Sequence, residues 1–105
     1  MKKIKYSFDG IIHFEKIDSF VNICKVTGKS ELCNVEITYR PTDHILEIGS
    51  YREFFQQQFN MYIEELCDFV FNHINTLISP AELEVVIYLT DENKDLTPWT
   101  VRREL

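Results

Sequence analysis

Cys24, Thr27, Gly28 and Glu31 fall within one short stretch, NICKVTGKSE, residues 22–31. A cysteine is a nucleophile only as its thiolate, and a carboxylic acid nearby can move the proton that a covalent step displaces. The neighbours of Cys24 are Asn22, Lys25, Thr27, Gly28 and Lys29, all polar or turn-forming. That setting leaves the thiol reachable, and the lysines would favour its ionised form. The competing reading is an inert, unpaired thiol. Cys33 lies beside a β-rich run and Cys67 falls next to a helical apolar stripe, so both read as buried packing residues. Three cysteines without a CxxC spacing make neither a disulfide framework nor a zinc site. His13, His44 and His73 share no ligand spacing.

The elements that must position this stretch follow from periodicity. Residues 4–8 and 11–14 alternate weakly around Asp9-Gly10, either as a turn or as a bent strand. Residues 33–39 alternate clearly, with Cys33, Val35, Ile37 and Tyr39 on one face and Asn34, Glu36 and Thr38 on the other. RPTDH turns the chain, and residues 45–48 are expected to pair with that strand. SYRE, residues 50–53, has the spacing of a capping box with Ser50 as the cap, and FFQQQF at 54–59 reads as part of a packed helix. Helical spacing continues over 60–78, with Ile63, Leu66, Cys67, Val70, Ile74 and Leu77 on one stripe, and either Asn60 caps a second helix or one helix runs through. Ser79-Pro80 ends it. Residues 83–89 and 99–104 read as strands joined by the polar loop TDENKDLTP, and Trp99 as a packing or subunit-contact residue.

The predicted class is α+β, one domain over residues 1–105, with an antiparallel sheet and helices on one face. Glu36, Thr38 and Glu84 make the other face partly wet. Open sheet edges invite pairing with other chains, and joining sheets edge to edge would close them. The formal charge of −6 argues against broad nucleic-acid binding, although VRREL at the C-terminus is locally basic. No apolar run reaches the ~18 residues of a membrane span, and the basic N-terminus lacks the pattern of a signal peptide. A cytoplasmic protein is expected.

The segment CKVTGKSELCNVEITYRP, from Cys24 to Pro41, resembles the CPxTGQPDFAxxxIxYxP segment of the 7-cyano-7-deazaguanine reductase (QueF) family. Cys24, Thr27, Gly28, Tyr39 and Pro41 match at the same spacing. The resemblance implies the tunnelling fold, in which each subunit supplies two strands, two helices and two strands. It further implies a homo-oligomeric, pentamer-based barrel with substrate pockets between neighbours. In that family the cysteine attacks the nitrile carbon of 7-cyano-7-deazaguanine to give a thioimide, the role the resemblance assigns to Cys24. An acid seven residues on manages the nitrogen's protons, and Glu31 stands there in place of the family's Asp. A helical glutamate grips the guanidine-like ring edge, which maps to Glu64, with Glu65 the register alternative and Ile63 replacing the usual histidine. Without the resemblance, both acids read as the solvated side of an amphipathic helix.

EIGSYR aligns with the family's ESKSLK, placing Glu47 and Ser50 at substrate-binding positions and Arg52 at the one retained cation for NADPH phosphates. Gly49 stands where the other lysine belongs. Three functions follow as expectations. The first is NADPH-dependent reduction of the nitrile to 7-aminomethyl-7-deazaguanine for queuosine. The second is a QueF-like amidinotransferase that adds ammonia to the same nitrile on tRNA, as in archaeosine formation. The third is a non-catalytic binder of a purine or pterin.

Overall fold

The computed structural model describes residues 1–14, 19–90 and 99–105. In chain order the strands and helices are β1 (Lys3–Lys5), β2 (Ile12–Phe14), β3 (Phe20–Ile23), β4 (Ser30–Arg40), β5 (His44–Leu46), α1 (Ile48–Phe54), α2 (Ile63–Ile78), β6 (Glu82–Thr90) and β7 (Trp99–Glu104). The polar stretch read as a loop lies outside the described residues from 91 to 98, as does the side chain of Trp99.

β4 is the spine of the sheet. On one side it pairs antiparallel with β6 from Leu32↔Thr90 to Arg40↔Glu82, and β7 pairs beyond β6. On its other side β2 takes the Arg40 half, through Ile12↔Tyr39 to Phe14↔Ile37, and β3 takes the Ser30 half, through Phe20↔Cys33 to Ile23↔Ser30. Both flanks of β4 are therefore filled. This explains why β5 does not pair with it, against expectation, and instead forms a separate two-stranded sheet with β1. The segments on either side of Asp9-Gly10 likewise go to different sheets rather than forming a hairpin.

The alternation of β4 is realised as read. Cys33, Val35, Ile37 and Tyr39 are buried against the helices, with Val85 and Ile87 beside them. Leu66, Cys67, Val70 and Ile74 bring the apolar stripe of α2 onto this face, each about 1.5–3 kcal/mol of burial for the larger side chains. Both helices lie on that face. The opposite face is polar and internally bonded: Tyr88 donates its hydroxyl to Glu36, whose other oxygen lies 3.0 Å from His13 Nε2.

Two expectations about the helices are corrected. Ser50 does not cap α1; the cap is Glu47, three residues earlier, whose carboxylate accepts the N–H groups of Gly49 (2.8 Å) and Ser50 (2.6 Å). Nor does helix run through FFQQQF. α1 ends at Phe54, and α2 starts at Ile63 with Tyr62 rather than Asn60 as its cap. The intervening chain has another task. Phe59 forms a parallel bridge to the outer edge of β3: its N–H donates to Val21 O (3.0 Å) and its carbonyl accepts from Ile23 N–H (2.7 Å). Phe20, Phe55 and Phe59 pack their rings together beneath this bridge.

The buried Asn22 fixes the same junction. Its side-chain amide donates to Met61 O (2.9 Å) and accepts from Met61 N–H (3.1 Å). Replacing it leaves two backbone groups without their partner. Asn22→Ala is expected to lower unfolding stability by about 2–3 kcal/mol, read as a reduced urea midpoint at unchanged m-value; an unchanged midpoint would show that the amide pair holds nothing.

Candidate active site

The β3–β4 hairpin continues past its regular strands into a tight turn. Cys24 N–H donates to Lys29 O and Gly28 N–H donates back to Cys24 O, both at 2.9 Å. Gly28 closes the loop at φ +70°, a left-handed conformation that a side chain would strain. Thr27 Oγ1 accepts from Lys29 N–H at 3.2 Å. The Cys-x-x-Thr-Gly spacing is thus the geometry of one turn.

The turn also sets the chemistry of the sulfur. Cys24 is half-exposed, and its thiol is held below the usual range by the Thr27 hydroxyl first, then by the backbone N–H groups of Thr27 and Val26. The lysines expected to do this do not. Lys25 points away into an ion pair with Glu65, Nζ to Oε1 2.8 Å, and the donors at the sulfur are neutral. The other two thiols are inert by environment. Burial pushes Cys33 up to about 12 and Cys67 up to about 11.

Register brings Glu31 to the same side. Asn22 pairs with Glu31 and Cys24 stands opposite Lys29, so Cys24 and Glu31 are diagonal neighbours on one face of the hairpin, with side chains roughly 7 Å apart at Cβ. The Glu31 charge opposes the thiolate and raises the Cys24 pKa against the larger Thr27 and Val26 effects. A thiol and a carboxyl group share one small, accessible face of the hairpin.

The start of α2 lies against this turn. Glu65 is engaged twice, by Lys25 and by the N–H of Tyr62 (3.2 Å), and these partners hold its carboxyl below the usual range. Of the two register alternatives, Glu64 is exposed and has no hydrogen bond or ion pair among the described residues, whereas Glu65 is engaged. Its direction differs from that of Glu65. Glu64 and Asp68 are one helical turn apart on one face, and Asp68 pairs with Arg103 of β7 at 2.9 Å. Glu65 instead faces Lys25, on the β3 side. Within one chain the nucleophile and Glu64 occupy different flanks of α2.

Glu47, Ser50 and Arg52 stand apart from Cys24. They follow β5, at the Arg40 end of β4, whereas Cys24 is at the Ser30 end, and an 11-residue strand spans roughly 33 Å. The Glu47 carboxylate is occupied by the N–H groups of Ser50 and Gly49, which hold it below the usual range. Ser50 is buried; its hydroxyl donates to Glu47 O and accepts Lys2 N–H, both at 2.8 Å. Arg52 is exposed and makes no ion pair among the described residues. The contributions of Asn22 and Lys25 were not legible in sequence, because their partners lie about forty residues away.

Among solved structures, the archaeosine synthase QueF-Like in its apo form superposes with a TM-score of 0.77 over 90% of this chain and 91% of its own, at 14% identity. No family model and no curated protein matches the sequence. The chain thus has the fold of that synthase.

The sulfur's environment can be read directly. Alkylation of Cys24 by iodoacetamide is expected to proceed with a pH midpoint below that of an ordinary thiol, while Cys33 and Cys67 stay unmodified in the folded protein. Thr27→Val removes the hydroxyl that does most to favour the thiolate, so the folded thiol pKa rises and the midpoint moves to higher pH. A midpoint unmoved by Thr27→Val would assign the thiolate's stabilisation elsewhere.

Proposed function

We propose that the chain is a QueF-like amidinotransferase-type enzyme that forms a thioimide between Cys24 and the nitrile of a 7-deazaguanine and then transfers the carbon to ammonia. The observation that carries this reading is the accessible Cys24 thiol, its ionised form favoured by neutral donors, with Glu31 on the same face of the hairpin. The shared fold with an archaeosine synthase supports it.

The steps balance with these two residues. The Cys24 thiolate adds to the nitrile carbon, a C–S bond forms, and one π pair moves to nitrogen, which takes the proton of Glu31. The product is a neutral thioimide and a Glu31 carboxylate. Ammonia adds to the same carbon and loses a proton to Glu31. The C–S bond then breaks, sulfur leaves as thiolate, and the carbon departs as an amidine. Glu64 is the carboxylate that accepts two parallel hydrogen bonds from the guanidine-like ring edge.

Reduction by NADPH is the weaker alternative. Two cations are needed against a dianionic phosphate, and only Arg52 remains. The segment instead presents the Glu47 carboxylate, and a Cβ built at Gly49 would approach Glu47 Oε1 to 3.0 Å. A side chain at that position would crowd the Glu47 carboxylate that caps α1. The residues present do not fit the cofactor's phosphates.

The site is shared between subunits in this reading. Phe59 occupies the outer edge of β3, which leaves the outer edges of β2 and β7 for joining sheets into a homo-oligomeric, pentamer-based barrel. Glu64 faces the β7 side of α2 and Cys24 the β3 side, so a neighbour's Glu64 can complete the pocket at each joint.

The test is incubation with 7-cyano-7-deazaguanine, as free base and as the base in tRNA, with ammonium and separately with NADPH, followed by intact mass and absorbance. Expected are an adduct lost in Cys24→Ala and retained in Cys33→Ala, an amidine product with ammonium, and no NADPH oxidation. Mixed Cys24→Ala and Glu64→Ala subunits are expected to recover part of the activity. NADPH oxidation would restore the reductase reading, and binding without an adduct would leave a non-catalytic purine or pterin binder.

A further inference from the structure

The Cys24 turn has no apolar anchor. Residues 25–30 are exposed, and Val26, its one apolar side chain, is 78% accessible. Its internal bonds set its shape but not its orientation relative to the helices. Beyond the backbone bond from Ile23 N–H to Phe59 O, orientation comes from two side-chain attachments that flank the cysteine. Asn22, two residues before it, is bonded on both sides of its amide to Met61. Lys25, the residue after it, reaches Glu65 at 2.8 Å with its ammonium 5.0 Å from the Tyr62 ring centre. The Glu65 carboxylate is itself held by Tyr62 N–H, so it is a prearranged acceptor on the rigid first turn of α2.

We infer that Lys25 is a positioning residue for the nucleophile: its ion pair with Glu65 pins the Cys24 turn to α2 and so fixes where the sulfur meets an electrophilic carbon. The inference rests on the thioimide reading above. It assigns Lys25 a role through place and not through charge, since the groups that favour the thiolate are Thr27 and Val26. Small misplacements of a reacting atom cost large factors in rate, whereas an exposed ion pair contributes little to global stability.

Place and charge make different predictions in the full-length protein. Lys25→Met is expected to raise hydrogen exchange of the 24–29 amides roughly threefold while the rest of the chain is unchanged. It leaves the pH midpoint of Cys24 alkylation where it is, and slows adduct formation with 7-cyano-7-deazaguanine by about tenfold. Glu65→Gln keeps an acceptor for Tyr62 N–H but loses the ion pair, and should behave in the same way. Lys25→Arg, whose guanidinium reaches the same carboxylate, should stay near the wild type in all three readouts. Unchanged exchange in Lys25→Met overturns the pin, and an upward shift of its alkylation midpoint replaces positioning with a charge effect. Wild-type adduct formation with an equally fast Lys25→Met defeats the inference and leaves the thioimide reading intact. A wild type without adduct defeats that reading, while faster exchange at an unmoved midpoint still establishes Lys25 as the tether of the thiol turn.

Discussion

An exposed strand edge must find partners for its N–H and C=O groups, and at β3 the chain supplies them from its own helix–helix connection. The bridge from Phe59 to Val21 and Ile23, together with the two bonds from Asn22 to Met61, determines where α2 can begin. With Met61 fixed, Tyr62 and Glu65 are fixed, and Lys25 has a carboxylate within reach. The sulfur, the start of the helix and Glu64 thus inherit their mutual placement from one junction between a four-residue strand and a short loop.

The thiol illustrates how a small motif can tune reactivity without a cation. Thr27 contributes a hydroxyl and an N–H, Val26 an N–H, and Gly28 the backbone conformation that turns them inward. Neutral donors favour a thiolate without placing a positive charge beside the Glu31 carboxyl group. Lys25 and Lys29 lie one and five residues after Cys24, yet neither is among the groups that lower its pKa, so proximity along the chain was a poor guide to the field at sulfur.

Much of the scaffold was legible because its signals are long and redundant. β4 and β6 alternate or run β-branched over many residues, α2 carries an apolar stripe over 16 residues, and Ser79-Pro80 stops it. The Cys24–Gly28 turn was legible because it is local: every bond that shapes it lies within six residues. β3 was not, since FVNI is short and one of its two buried residues, Asn22, is polar, a side chain whose partner sits 39 residues on. The pairing of β5 failed for a topological reason, that β4 has only two flanks and the chain had filled both. Glu47 displaced Ser50 as cap because a carboxylate can accept two N–H groups at once, and Ser50 is thereby drawn inside the first turn.

The outer edges left on this sheet are unlike each other. One is the three-residue β2, beside a β3 already occupied by Phe59; the other is the six-residue β7, which carries Arg102 and Arg103. A joint between one edge and the other, on separate copies, would be heterologous, head to tail. Such a contact has no intrinsic end. The rotation per subunit decides between a closed cycle and an open fibre, and sheet twist supplies that rotation. Residues that set the twist of β2 and β7 would then govern the size of the particle without touching any ligand.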